Sequence, residues 1–336
     1  MGSSKNKRDA AGSLQLDLRE GDSVQHLWGT ADGLLVISRW RTCRIRTPDC
    51  IDPDRQHSDA PWQQSIVFEL GTESPLVARS LVQVQEVLKS VWPESDGRRS
   101  ATFDIAFRVL KALLTLDRII NRIRTETEAH VEVVSASIEQ YTVGQAPKPI
   151  PPILTLEEDF KSFALEVRQC LNHMTDIFDL IDAGVSPGRF DLAREKLKKK
   201  FGEDAAILRM LEGDARWIEL WIAVANTVKH PKKTERIVVN DLRLLPDRRI
   251  QLPTWQLFHS TRCLDAPQAL LESADIVIQN LLGLFENLFV VVIDQVLPAL
   301  PSGLQWVLDD IPEAERDPKC PQRYLLSIGM RNARHA

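Results

Sequence analysis

Hydrophobic and polar positions follow two different rhythms along the chain. From Ser23 to Leu70, short runs rich in Val, Ile and Trp are broken by turn residues, Ala31-Asp32-Gly33 and Thr47-Pro48-Asp49 among them, which predicts a small β-rich region. A helix is expected from about Pro75 to Val91. Then Phe103, Phe107, Leu110, Leu113, Leu114, Ile120 and Ile123 recur at helical spacing, predicting a long amphipathic helix over about 102–134 with Arg118, Arg122 and Glu126 on its wet side.

The stretch from Gln145 to Ile153 carries Pro147, Pro149, Pro151 and Pro152, a density that disallows helix and favours an extended spacer. It is the expected domain boundary. Directly after it, Thr155 and Glu158 have the spacing of a capping box, and Leu156, Phe160, Phe163, Val167, Leu171, Met174, Phe178 and Ile181 recur every three or four residues, so a helix is expected that ends at Gly184. A short basic helix over Asp191 to Lys200 follows. Next come a helical stretch from about Glu203 that Gly213-Asp214 can break, and a helix from Asp214 to His230 stopped by Pro231. Between Arg236 and Phe258 the pattern turns to β, two runs around Pro246-Asp247, and Pro253 in the second run places that strand at an edge. The last helix is expected from Asp265, with Pro267 in its first turn, to about Val296; it is apolar all round and so belongs in the middle of a bundle.

The pattern defines a mainly helical α+β protein. Residues 1–12 form a disordered tail, 13–142 a smaller mixed β/α region, 143–153 the Pro-rich linker, 154–298 a helical bundle with a hairpin at 236–258, and 299–336 a C-terminal extension. Composition agrees with a globular chain of about two domains: 336 residues, 43% hydrophobic, 42 Lys and Arg against 47 Asp and Glu. The formal charge of −5 excludes a histone-like basic protein. No apolar stretch follows Lys5, Lys7 and Arg8, so no secretory signal is expected, and the apolar run Leu288 to Ile293 is far shorter than a membrane span. The five cysteines, Cys43, Cys50, Cys170, Cys263 and Cys320, are odd in number and contain no CxxC pair, which suggests neither a disulfide framework nor a zinc site. A cytoplasmic protein without membrane contact, metal or cofactor is the expectation, since no phosphate-binding loop, dinucleotide fingerprint or hydrolase elbow is present.

One helix carries candidate chemistry. On Asp214 to His230, Arg216, Glu219, Ala223, Asn226 and His230 share one arc of the helix, beside a largely apolar remainder. On the helix after the linker, Arg168, Asn172, Thr175 and Asp179 also align. Buried polar groups need partners, so the two stripes either satisfy each other, with Arg216 pairing to Glu219 or Asp179 and Asn226 to His230, or they face a ligand.

The run Ala225-Asn226-Thr227-Val228-Lys229-His230-Pro231, closing a bundle helix ahead of a basic turn and a hairpin, resembles the N-x-x-K-H-P helix end of uncharacterised bacterial members of the HEPN superfamily. The resemblance covers about residues 155–297. It implies a HEPN-like bundle acting on or binding RNA or a nucleotide, in a bacterial toxin–antitoxin or phage-defence setting, and, in active members, a metal-independent endoribonuclease working as a dimer. By that resemblance His230 would be the general acid or base, Asn226 would position it, and the Arg position is occupied by Ala225, leaving Arg216 or Arg168 to supply the guanidinium. The rival reading is a non-catalytic interaction or sensor protein, partnered by a second copy or a cognate protein, in which the polar stripe is structural. Two further Arg-to-His spacings, Arg168 to His173 and Arg124 to His130, lie in amphipathic helices.

Charge is uneven. From Arg194 to Arg249 there are 14 Lys and Arg against nine Asp and Glu, a local +5, with Lys229, Lys232, Lys233 and Arg236 beside the motif as the expected basic surface for phosphate contacts. A second group, Arg39, Arg41, Arg44 and Arg46 around Trp40, offers either phosphate contacts with a stacking ring or an exposed strand.

Overall fold

The structure is a computed structural model, and it describes residues 16–142, 149–259 and 266–330. The expected tail and residues 145–148 of the proline stretch lie outside these; 149–153 are described and are not helical. The architecture is mixed α+β. The chain divides into two compact units, one made of residues 1–107 and 297–336 and one of residues 108–296. Neither division falls in the proline stretch, and the C-terminal segment groups with the first hundred residues.

The first unit begins with an antiparallel meander, β1 (Val24–Thr30), β2 (Gly33–Ser38), β3 (Thr42–Arg46) and β4 (Gln63–Phe68), paired in chain order. Gly33 ends the first turn at φ 126°, and a Cβ there would lie 2.1 Å from the Ile45 carbonyl oxygen, so only glycine fits. The short α1 (Pro48–Ile51) precedes β4. The helix expected over 75–91 forms as three consecutive pieces, α2 (Pro75–Val77), a π-helical turn (Ala78–Val82) and α3 (Gln83–Val91). The long α4 (Gly97–Ala136) starts in this unit and passes into the second at Arg108. A C-terminal hairpin, formed by two strands at Leu304–Asp310 and Tyr324–Met330, completes the first unit. It is tied to the early helices through buried Gln83, whose Oε1 accepts the backbone N–H of Arg323 and Tyr324 at 2.8 and 2.9 Å, and by Thr72, which donates to the Lys319 carbonyl.

The second unit is the bundle. After α5 (Ile138–Thr142) come α6 (Leu156–Met174), a 3-10 segment (Thr175–Ile181), α7 (Phe190–Phe201) and α8 (Ala206–Lys229). The hairpin then forms from β5 (Arg236–Asn240), β6 (Arg243–Leu244), β7 (Ile250–Gln251) and β8 (Thr254–Phe258), followed by β9 (Gln268–Ala269) and α9 (Leu270–Val296). The two C-terminal strands of the first unit are β10 and β11 in this numbering. As expected, α9 is central: it packs against the 3-10 segment, α8, α6 and β9. By length and composition α9 could cross a membrane, with a window of mean hydropathy 2.0, yet 61% of that window is buried inside the protein, as in a core helix.

Several local expectations are corrected, each for a visible reason. The helix after the linker tightens into a 3-10 turn at Thr175 and ends at left-handed Asp182 (φ 47°), short of Gly184. The Thr155 capping box does not form, because the Thr155 hydroxyl is drawn to the carboxylates of Glu126 (2.9 Å) and Asp159 (3.0 Å). Buried Asp159 also pairs with Arg122 of α4, so this corner is held by charge. Gly213-Asp214 does not interrupt α8; Trp217 Nε1 donates to Asp214 Oδ1 at 2.8 Å, occupying within the helix the side chain that would otherwise compete with it. β8 is the middle strand of β5-β8-β9 and no edge, since Pro253 lies just before it and contributes only its carbonyl, which accepts from Leu270 N–H.

An aromatic cluster joins the helices to the hairpin. Phe160 and Phe163 of α6, Trp221 of α8 and Trp255 of β8 pack with centroids 5.1–6.2 Å apart, all four buried. The Trp255 indole N–H has no hydrogen-bond partner, which costs about 1–3 kcal/mol. Trp255→Ala is therefore expected to destabilise the second unit by about 3–5 kcal/mol, while Trp255→Phe, which keeps a ring and removes the orphan donor, loses less than half of that in denaturant melts. Gly213→Ala, on an exposed helix face where an added Cβ meets nothing within 4 Å, is expected to raise stability by about 0.5–1 kcal/mol.

Candidate functional site

The polar arc of α8 turns out wet. Arg216, Asn226, Lys229 and His230 are exposed, Glu219 is half-buried, and Ala223 and Ala225 are buried. The helix needs its apolar remainder for α6 and α9, so the charged arc is left outward. The α6 stripe is engaged with α7 and with nearby backbone. Arg168 donates to Asp191 of α7 (2.9 Å), Thr175 Oγ1 caps Asn172 O and receives Gly188 N–H, and Asp179 is exposed.

Between α7 and α8 lies a groove of about 300 Å³. Its floor is apolar, with Phe190, Leu211, Ile218 and Ile222. Its rim carries Asp191, Arg194, Glu219, Asn226 and His259. Of the four residues expected to act together, Asn226 alone lines this groove. Arg168 reaches it only through Asp191, and Arg216 and His230 do not line it. His230 closes α8 as its C-cap, with its backbone N–H on Asn226 O at 2.8 Å. His230 has left helical geometry at φ −132° and ψ 68°, and it does not line the groove.

The groove holds a different histidine. His259 Nε2 lies 3.6 Å from Oε1 of Glu235, a buried carboxylate that also pairs with Lys232 at 2.9 Å. The hairpin brings them together. Its register runs unbroken from Leu244↔Ile250 through Asn240↔Thr254 to Arg236↔Phe258, and one step further sets Glu235 opposite His259. The signal was therefore available in the sequence as turn position plus antiparallel counting, although no local motif contains it.

Lys229, Lys232, Lys233 and Arg236 are exposed; Lys232 is engaged with Glu235, and the Arg236 guanidinium sits 5.0 Å from the Phe258 ring centroid. Clasps fix the groove walls. Arg194 of α7 pairs with Glu212 of α8 at 2.8 Å, and Asp191 is gripped by Arg189 and by Arg168. The hydrogen bonds from Arg189, followed by the charge and donors of Arg168, hold the Asp191 carboxyl below its ordinary 3.8. In the N-terminal arginine group, Arg39 pairs with Glu73, Arg41 with Glu69 and Arg44 with Asp32, Trp40 donates to Glu73, and Arg46 is exposed.

Protein-family models, curated proteins and solved structures contain no match to this chain.

Because the Asp191 carboxyl is depressed in the folded state, the clasp stabilises fully above the ordinary carboxylate range and is lost as pH falls through the lowered value. Acid titration followed by circular dichroism should therefore show Arg168→Met losing stability relative to wild type at neutral pH, with the difference closing on acidification below about pH 4.

Proposed function

We propose that the second unit is a HEPN-like RNA- or nucleotide-binding module whose ligand lies in the groove between α7 and α8, with its phosphates toward the basic turn after α8. The observation that carries this reading is the continuity of two surfaces. An apolar floor with a rim of Asn, Glu and His can hold a base through stacking and edge hydrogen bonds. Exposed Lys229 and Lys233 follow directly from Asn226 in the chain, and Lys229 is one helical turn from it. Neither lysine pairs with a carboxylate among the described residues, so both are available to phosphate.

Binding is favoured over cleavage by Asn226, His230, Arg216 and Arg168 acting together. Within one chain Arg168 is committed to Asp191, and His230 and Arg216 stand outside the groove. A second copy would have to bring its own motif helix to this surface for that set to be completed. The order α6, α7, α8, hairpin, α9, with the N-x-x-K-H-P end on α8, is what supports the HEPN-like assignment; a role in toxin–antitoxin or phage defence rests on that resemblance alone.

Fluorescence anisotropy with a labelled single-stranded RNA oligomer tests the reading. Lys229→Ala and Lys233→Ala are each expected to weaken binding several-fold and to flatten the dependence of log K on log salt by about 0.7 per lysine removed. No binding at low salt, or binding that keeps its salt slope in the double variant, would sink it.

A further inference from the structure

The first unit contains a feature that the nucleotide reading leaves unused: an arginine on the helix-facing side of its sheet. Trp28, Leu35 and Arg44 form a cross-strand row, since Trp28 pairs with Leu35 and Leu35 with Arg44. Successive strand residues alternate in facing, so paired residues share a face, and this one meets α4. Trp28 stacks on Phe103 at 4.3 Å and 15°, and the Arg44 guanidinium lies 5.9 Å from the Phe107 ring centroid. A guanidinium in that row stands where the pattern asks for an aliphatic side chain. Such a residue is kept only if its nitrogens are satisfied.

Within the protein they are satisfied in part. Nη1 donates to Asp32 at 2.9 Å, whereas Nε is buried and has no hydrogen-bond partner among the described residues. Arg44 lines a cavity of about 250 Å³ together with Thr30, Asp32, Leu35, Phe103, Asp104 and Phe107. With Nη1 turned to Asp32, the Nε and Nη2 edge is the side of the guanidinium that presents two parallel donors, the geometry that a carboxylate accepts in pairs. The same cavity also carries the carboxylates of Asp32 and Asp104, which repel a simple anion and attract an ammonium. Its remaining wall is mainly apolar, with Ala31, Leu35, Phe103 and Phe107 beside Thr30. A ligand that fits has a carboxylate, an ammonium within a few ångströms of it, and an apolar substituent.

We propose that this cavity of the first unit is a binding site for a free α-amino acid with an apolar side chain, its carboxylate on the Arg44 edge and its ammonium toward the Asp32 side. The site is independent of the groove in the second unit. The assignment makes the first unit a small-molecule receptor and gives the buried Nε of Arg44 an acceptor in addition to the Asp32 pair that Nη1 already makes.

Differential scanning fluorimetry and titration calorimetry on the full chain test it, with L-leucine and L-phenylalanine as probes and isovalerate and isoamylamine as analogues carrying one charge each. One of the amino acids should raise the melting temperature saturably, with each analogue at least tenfold weaker. Arg44→Gln should abolish the shift and Arg44→Lys should weaken it at least tenfold, because an ammonium does not reproduce the paired donors. Arg44 variants that lose the fold by circular dichroism are replaced by Ala31→Phe, at the exposed turn beside the cavity, which leaves every charge in place and should still block the probe. No shift with either amino acid means that water fills the cavity, and the proposal falls. Equal binding of isovalerate overturns the zwitterion assignment, and an unchanged shift in Arg44→Gln or Ala31→Phe places the ligand elsewhere.

Discussion

The second unit depends on four rings. Phe160, Phe163, Trp221 and Trp255 come from two helices and one strand, and their packing decides where the hairpin sits against the bundle. Everything at the groove's far end is placed by that decision. β8 carries Trp255 inward, and His259 follows four residues later at the groove rim. The burial of the rings supplies the energy, and their edge-to-face preference restricts the angle at which β8 can approach. An unpaired indole N–H in the middle of this cluster is tolerated because the surrounding apolar contact outweighs its desolvation.

Charge does a different job in each unit. In the second, ion pairs lie between neighbouring elements: Arg122 with Asp159, Arg124 with Asp275, Arg168 with Asp191, Arg194 with Glu212. Most have one exposed partner, so each contributes modestly to stability. Their value is in register, as they hold α4, α6, α7, α8 and α9 at fixed rotations, and among the described residues none of them draws on Lys229 or Lys233. In the first unit, Arg39, Arg41 and Arg44 are each paired within the unit, with Glu73, Glu69 and Asp32, and Arg46 is the exposed end of that run.

Element identity was legible in the sequence wherever periodicity was strong. The meander over 23–70, the long α4, the helix starting at 156, the basic α7 and the hairpin turning near Asp247 all follow from spacing alone. What could not be read was partner choice. Thr155 had two ways to spend its hydroxyl, and only the arrival of Glu126 and Asp159 decided between them. The wetness of Asn226 and His230 depended on which face of α8 met α6 and α9. His230 was singled out because it closes a motif along the chain, whereas His259 reaches the groove across a hairpin. A residue brought in by pairing leaves no local trace, and only counting the register outward from the turn reveals it. Division into units was equally hidden, since hydrogen bonds donated by the backbone N–H of Arg323 and Tyr324 to Gln83 connect positions some 240 residues apart.

That last connection has a consequence for how the chain matures. The first unit is discontinuous, and its closing hairpin is the last described part of the chain to leave the ribosome. During synthesis Gln83 and Thr72 are exposed long before Arg323 and Lys319 exist, so the early sheet and helices must wait with their docking groups bare. The intervening residues 108–296 form a contiguous compact unit that can fold in the meantime. A folded insert is more compact than the same chain unfolded, so the effective loop that the host must close is shorter, and each halving of it saves roughly 0.6 kcal/mol of closure entropy. The insert thereby serves as an internal assembly aid for the unit that surrounds it, and slow folding of the insert would expose the host to misassembly first.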